Sequence, residues 1–333
     1  MLASAPSPSS LTSALVTTLA TEDDEGETSQ GLAPPPPPSP EARRASEAAA
    51  LVELRAALAE DAGQSAVPDS FLEKCLVYQA WQVDKAAAIV RGFVAFRKSV
   101  DWPLRISAAD VEPALRSGLH WLLYPSAARR PPAPPADGEE GPAACLVFNM
   151  ARLDTAISSV EGFQRMSTFL MERATDRPDV QRRGIAVLVD FRGVSFAGLL
   201  RSVSVDDAQR GVLLWKGAFP CRMRRIWLVQ PAPGLHFVIR GILRLLGEKV
   251  RRRVRIAESA AAAARIADDL SAFELPAGLG GTAQVPWDAE VSRYLAVERP
   301  EWRERCGSDL EPQPARPLMF AQIGQCCASR GYF

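Results

Sequence analysis

Histidine is nearly missing, and cysteine never occurs at metal-binding spacing. Only His120 and His236 are present, and the six cysteines (Cys75, Cys145, Cys221, Cys306, Cys326, Cys327) include one adjacent pair but no CxxC. Zinc needs three or four such ligands brought together, so the sequence offers no metal site. Thiols scattered in this way fit free cysteines in a reducing cytosol. Net charge is lacking too: 39 basic residues face 39 acidic ones, which argues against a global affinity for nucleic acid. No apolar run reaches the roughly 18 residues that cross a bilayer. Leu11–Ala20 is short and Thr-rich with no basic residue before it, unlike a secretory signal. Its Ser/Thr/Ala content leaves a plastid transit peptide as an alternative, but arginine is absent and acids begin at Glu22, so the segment reads as disorder.

What is present changes along the chain. Residues 1–40 combine an acidic patch (Glu22, Asp23, Asp24, Glu25, Glu27) with a proline run, Pro35–Pro38, and hold too little apolar surface to fold alone. The run reads as an extended linker or, alternatively, as an SH3 or WW ligand. Residues 41–105 read as a small helical unit: one helix to about Ala62, one from Asp69 or Ser70 to Gln79, and one over Gln82–Arg97 with Ile89, Val90, Phe93 and Phe96 on one face.

Strands and helices then alternate over residues 106–287. Leu119–Tyr124 reads as a strand, followed by a Pro/Ala/Gly-rich insert over Pro125–Pro142. Strands resume at Cys145–Met150, Ile185–Phe191, Ile226–Gln230 and Val254–Ile256. Helices fall at Val160–Ala174, Asp206–Lys216 and Leu235–Leu246. This order predicts an α/β fold with a mainly parallel sheet under helical cover. Residues 288–333 read as an irregular tail.

Two neighbouring features stand out. In Gly234–Gly247 the only charges are Arg240 and Arg244, one turn apart, and apolar residues occupy the other faces. A helix over an ordinary core needs one apolar face. This one is therefore buried on several sides, borders a cavity or meets a membrane. Around it, Cys221–Arg255 holds Arg222, Arg224, Arg225, Arg240, Arg244, Lys249, Arg251, Arg252, Arg253 and Arg255, with Glu248 as the sole acid. Such a cluster suits phosphate, because guanidinium binds it bidentately and each basic residue near an anionic leaflet contributes about 1 kcal/mol. A merely solvated charged face is the competing reading. Nucleic acid is disfavoured because no aromatic residues interleave for stacking.

At these residues the sequence resembles the CRAL-TRIO lipid-transfer family. The likeness rests on DSFLEKCL…WQVDKAAAIVRGFVAFRK (Asp69–Lys98), on GIAVLVDFRGVSF (Gly184–Phe196), and on GAFPCRMRRIWLVQPAP…RGILRLLGEKVRRRVRI closed by LPAGLGG (Leu275–Gly281); it spans about residues 45–285. The resemblance implies a small N-terminal helical unit before a CRAL-TRIO-like sheet, with Leu235–Leu246 as a gate helix over an apolar pocket. By likeness to the tocopherol- and retinaldehyde-carrying branch, Arg222, Arg224, Lys249 and Arg253 are expected to hold phosphoinositide phosphate, with Arg251 nearby. Cys221 stands where the phosphatidylinositol-exchanging branch has glutamate, which speaks against that headgroup inside the pocket. The Phe-Pro and Leu-Pro…Gly-Gly segments also resemble the lipid-binding module of a tyrosine phosphatase, but no cysteine here is followed by the Cys-x5-Arg spacing, and Cys326-Cys327-Ala-Ser-Arg330 does not supply it.

The sequence thus points to a cytoplasmic, peripherally and reversibly membrane-associated lipid carrier. Its expected ligand is a small hydrophobic lipid, with no other cofactor and no nucleic-acid partner. Expected pocket contributors are Phe148, Phe163, Met166, Val187, Val189, Leu214, Trp227, Val229, Ile239 and Leu243, residue types that are individually more often plain core than ligand wall. Burying about 400 Å² of ligand would supply on the order of 10 kcal/mol before ordering costs. A phosphoinositide-sensing recruitment module without transfer is the alternative. No catalytic set emerges: Asp190 and His236 form no nucleophile–base arrangement, so an enzyme is not expected.

Overall fold

The computed structural model describes residues 39–61, 66–126, 141–204, 206–207, 210, 219–231, 233–236, 248–275 and 287–296. Helices α1 (Pro40–Leu58), α2 (Asp69–Tyr78) and α3 (Val83–Ser99) pack together first. α1 starts where Ser39 Oγ accepts from the Ala42 N–H at 3.2 Å and Pro40 occupies the first turn, a position that needs no donor. In α3 the apolar residues Ile89, Val90, Phe93 and Phe96 are buried as their spacing predicts. A 3₁₀ turn at Ala109–Val111 and α4 (Glu112–Arg116) lead into the sheet.

The sheet runs in the order β1-β2-β3-β4-β5: β1 (His120–Leu123), β2 (Ala144–Asn149), β3 (Ile185–Asp190), β4 (Met223–Val229) and β5 (Val254–Ala257). β1 is an antiparallel edge and the other pairings are parallel. α5 (Val160–Thr175) and α6 (Pro178–Arg183) connect β2 to β3, and α5 covers one sheet face. α7 (Phe196–Ser202) follows β3, α8 (Glu248–Arg253) precedes β5, and α9 (Ala260–Asp269) packs on the opposite face. The predicted mixed α/β architecture with a mainly parallel sheet is what the structure has.

Two cores result, one on each side of the sheet. On the α5 side, one continuous cluster runs from Leu54 and Phe93 through Leu115, Met166 and Leu170 to Leu146 and Ile185, so residues on both sides of position 105 share a core. On the α9 side, Val147, Leu188, Trp227 and Val229 pack against Ile266, Leu270 and Phe273.

The helical residues on the α5 side are also tied by buried ions. Arg97 of α3 pairs with Glu172 of α5, and Lys74 of α2 reaches Asp176 at 2.5 Å. Asp176 also takes Arg105 at 2.9 Å, and Glu172 accepts from the Ile106 N–H at 3.3 Å. Burial pushes the Glu172 carboxyl up and the Lys74 ammonium down, and in each case the opposite charges nearby resist the shift.

Several expectations need adjustment. Residues 288–296, expected in an irregular tail, belong to helix α10 (Trp287–Ala296). Val291 and Tyr294, three apart, give it one buried face, and the Tyr294 ring stands edge-on to Phe169 at 5.5 Å. α9 was not foreseen, although its sequence is amphipathic. Its start is capped by Ser259, whose Oγ accepts from the Ala262 N–H at 3.2 Å. The first helix ends at Leu58, earlier than expected. The proline run, most of the insert after Pro125, most of the helix expected at Asp206–Lys216, and the greasy helix beyond His236 lie outside the described residues.

Candidate functional site: an apolar floor and a basic edge

Strand register sorts the predicted pocket residues by face. Leu146, Val187, Ile226 and Val254 are paired in one row across β2 to β5, and Phe148, Val189, Leu228 and Ile256 form the next. Both rows face α5, because side chains alternate along each strand. Leu146 and Val187, in the centre of the sheet, are buried. Phe148, Val189, Ile226, Leu228, Val254 and Ile256 are only half-buried. The result is a contiguous apolar floor, with Phe163 and Met166 of α5 buried at its β2 side.

Of the expected pocket residues, Phe148, Phe163, Met166, Val187 and Val189 are brought to this side. Trp227 and Val229 are not. They alternate with Ile226 and Leu228, point to the opposite face, and are 1% and 2% exposed within the packed layer under α9. Ile226 and Leu228 take their place on the floor, joined by Val254 and Ile256. Periodicity within IWLVQ shows that alternate residues diverge; only pairing with β3 shows which pair faces which way. Leu214, Ile239 and Leu243 lie outside the described residues.

At the β1 end of the second row sits His120, paired in register with Phe148 and edge-on to its ring at 4.1 Å. Its Nε2 lies 2.9 Å from Ser167 Oγ, and the Ser167 hydroxyl donates to the Phe163 carbonyl at 3.0 Å. With that hydroxyl proton committed, Ser167 Oγ can only accept from His120 Nε2–H. Burial pushes the imidazole down to about 3, so it is neutral at physiological pH.

The parallel topology gathers arginines at one end of the sheet. β3 is entered through Arg182-Arg183-Gly184, β4 through Arg222, Arg224 and Arg225, and β5 through Arg251-Arg252-Arg253 with Lys249 earlier in α8. Adjacent parallel strands start at the same end, so three distant basic segments become neighbours. Arg222 donates to the carbonyls of Val77 (3.3 Å), Tyr78 (3.2 Å) and Arg182 (3.4 Å), and Arg224 Nε donates to the Arg183 carbonyl at 2.9 Å. Arg182 and Arg183 were not anticipated. Their only sequence signal is a basic pair before an apolar run, remote from the other arginines.

Gly184 fixes this junction. It has φ +76°, and a β-carbon there would lie 2.3 Å from the Arg222 carbonyl oxygen. Glycine alone combines that backbone conformation with so close an approach.

Asp190 is engaged by Arg192, whose Nε and Nη2 donate at 2.8 and 2.7 Å. His236 lies 3.1 Å from Glu258, at the other end of the sheet from the arginines. No helix among the described residues is long and apolar enough to cross a membrane.

A mainly parallel sheet with an apolar floor on one face and a helical unit packed beside it defines the class: a mixed α/β domain. The family model described as the CRAL/TRIO domain matches residues 141–281 of this chain. Tyrosine-protein phosphatase non-receptor type 9 from human and from rat is 28% identical over 143 residues, 43% of this chain and 23% of each relative. The mouse protein is 28% identical over 117 residues, 35% of this chain and 18% of the relative. The match therefore spans under a quarter of these relatives' length. A crystal structure of Sfh5 superposes with TM-score 0.46 at 10% identity, covering 86% of this chain and 98% of that one.

Proposed function

We propose that this protein binds a small hydrophobic lipid over the floor formed by Phe148, Val189, Ile226, Leu228, Val254 and Ile256, and transfers it between membranes. The carrying observation is the pair of register rows, which leave six apolar side chains half-buried on one face while the opposite face is packed. Apolar surface left partly uncovered in contiguous rows is a surface a hydrocarbon can cover, gaining about 25 cal/mol for each Å² removed from water. The ionisable groups of the described floor are limited to His120, held neutral by burial, so the ligand is held by shape.

The basic edge would dock the carrier reversibly on phosphoinositide-containing membranes from the cytoplasmic side. Its support is the convergence of Arg222, Arg224 and Arg253 with Arg251 and the backbone of Lys249 at one end of the sheet. Native mass spectrometry of the purified protein, paired with vesicle-to-vesicle transfer, tests the proposal. A co-purified lipid mass and transfer accelerated by phosphoinositide are expected. Absence of both a bound lipid and vesicle binding would defeat it, whereas vesicle binding without transfer would favour a phosphoinositide-sensing recruitment module.

A further inference from the structure

The five basic residues assigned to docking do not share one environment. Arg222 spends its guanidinium on three main-chain carbonyls: Val77 and Tyr78 in the last turn of α2, and Arg182 in the last turn of α6. Carbonyls of a last helical turn lack the donor that the next turn would supply, although Val77 also accepts from the Ala80 N–H at 3.3 Å, and a cation there complements the negative end of each helix dipole. Arg222 thereby joins the N-terminal helical unit, the β3 entry and the β4 entry. A phosphate could claim its donors only by taking them from two helix ends.

Arg182 has the opposite character. It is exposed, and no hydrogen bond or ion pair to its guanidinium occurs among the described residues. Its own carbonyl accepts from Arg222, so its backbone is held rigidly at the basic edge while its side chain is available. Arg251, exposed in the last turn of α8, is comparable.

We infer that Arg182 is a membrane-phosphate contact of the basic edge, and that Arg222 serves as the clamp holding that edge together. This rests on the docking reading above and assigns a residue that reading did not contain. The occupant is the anionic surface of a phosphoinositide-bearing bilayer: three strand entries present arginine in a row, and of these Arg225 is paired with Asp269 at 3.8 Å.

The assignment is tested by flotation of the full chain with phosphatidylcholine vesicles, with and without phosphatidylinositol bisphosphate, alongside thermal melting. Arg182→Gln should lower partition onto the phosphoinositide vesicles by about five-fold, the value of one basic residue near an anionic leaflet, with melting unchanged. Arg222→Lys keeps the charge but loses the fork; it should lower the melting temperature and leave flotation unchanged below it. Flotation of Arg182→Gln equal to wild type, while Arg251→Gln loses binding, would overturn the assignment and leave docking intact. So would Arg222→Lys losing flotation without any change in melting. If the wild-type chain itself does not float, docking fails and this assignment with it.

Discussion

Trp227 and Leu228 are adjacent in sequence and should answer substitution in opposite ways. Trp227 is 1% exposed beneath α9, between Leu188 of β3 and the residues around Ile266 and Leu270. Truncating it to alanine removes a whole indole from a packed layer and should cost about 3–5 kcal/mol of stability. Leu228 is half-buried on the other face. Because full burial of a leucine side chain is worth about 1.5–3 kcal/mol, Leu228→Ala should cost only about 1 kcal/mol. Its effect should fall on ligand retention, since it deletes part of the floor between Val189 and Ile256. Leu228→Trp should fill the space above the sheet and displace lipid while melting stays near wild type. Denaturant unfolding and native mass spectrometry on the three variants read both quantities. If Trp227→Ala empties the protein of lipid without loss of stability, or Leu228→Trp unfolds it, the assignment of faces and with it the floor is refuted.

Three further outcomes follow from the buried polar groups and the β3 entry. His120 is held neutral by burial, to about 3, against an ordinary value of 6.5; the unfolded chain therefore binds a proton that the native state refuses. Its contribution should cost stability as pH falls below about 6.5, by about 1.4 kcal/mol per pH unit down to the folded value, and a His120→Phe variant should lose that slope in urea titrations across pH. Glu172→Gln strands Arg97 in the interior and should cost about 3–5 kcal/mol. By contrast, Glu112→Gln, which breaks the half-exposed pair with Arg116, should cost under about 1 kcal/mol in the same denaturation assay. Gly184→Ala forces a β-carbon against the Arg222 carbonyl in a positive-φ position. It should lower the melting temperature far more than an ordinary glycine-to-alanine change, and a neutral result would contradict the described junction.

Much of the fold was legible because it rests on local patterns. The apolar run Ile185–Asp190 and the amphipathic spacing of Phe163, Met166 and Leu170 announce a buried strand and a covering helix without any tertiary information. α10 escaped because a short helix late in the chain is held by two residues, Val291 and Tyr294, packing on elements far away in sequence. The buried ions were also hidden. Lys74, Arg97, Glu172 and Asp176 look like surface charges until α2, α3 and α5 meet.

The division is sharpest at the two sites. By itself the sequence determined that apolar strands alternate with helices and that arginines cluster before the last two strands, since both are properties of neighbouring residues. Tertiary structure alone decided that Leu228, and not Trp227, shares a face with Val189, because a shift of one residue in strand pairing exchanges the two faces. It alone decided that Arg182 joins arginines some forty residues away and that Arg222 is occupied by helix ends, because parallel strands begin side by side only once the chain has folded.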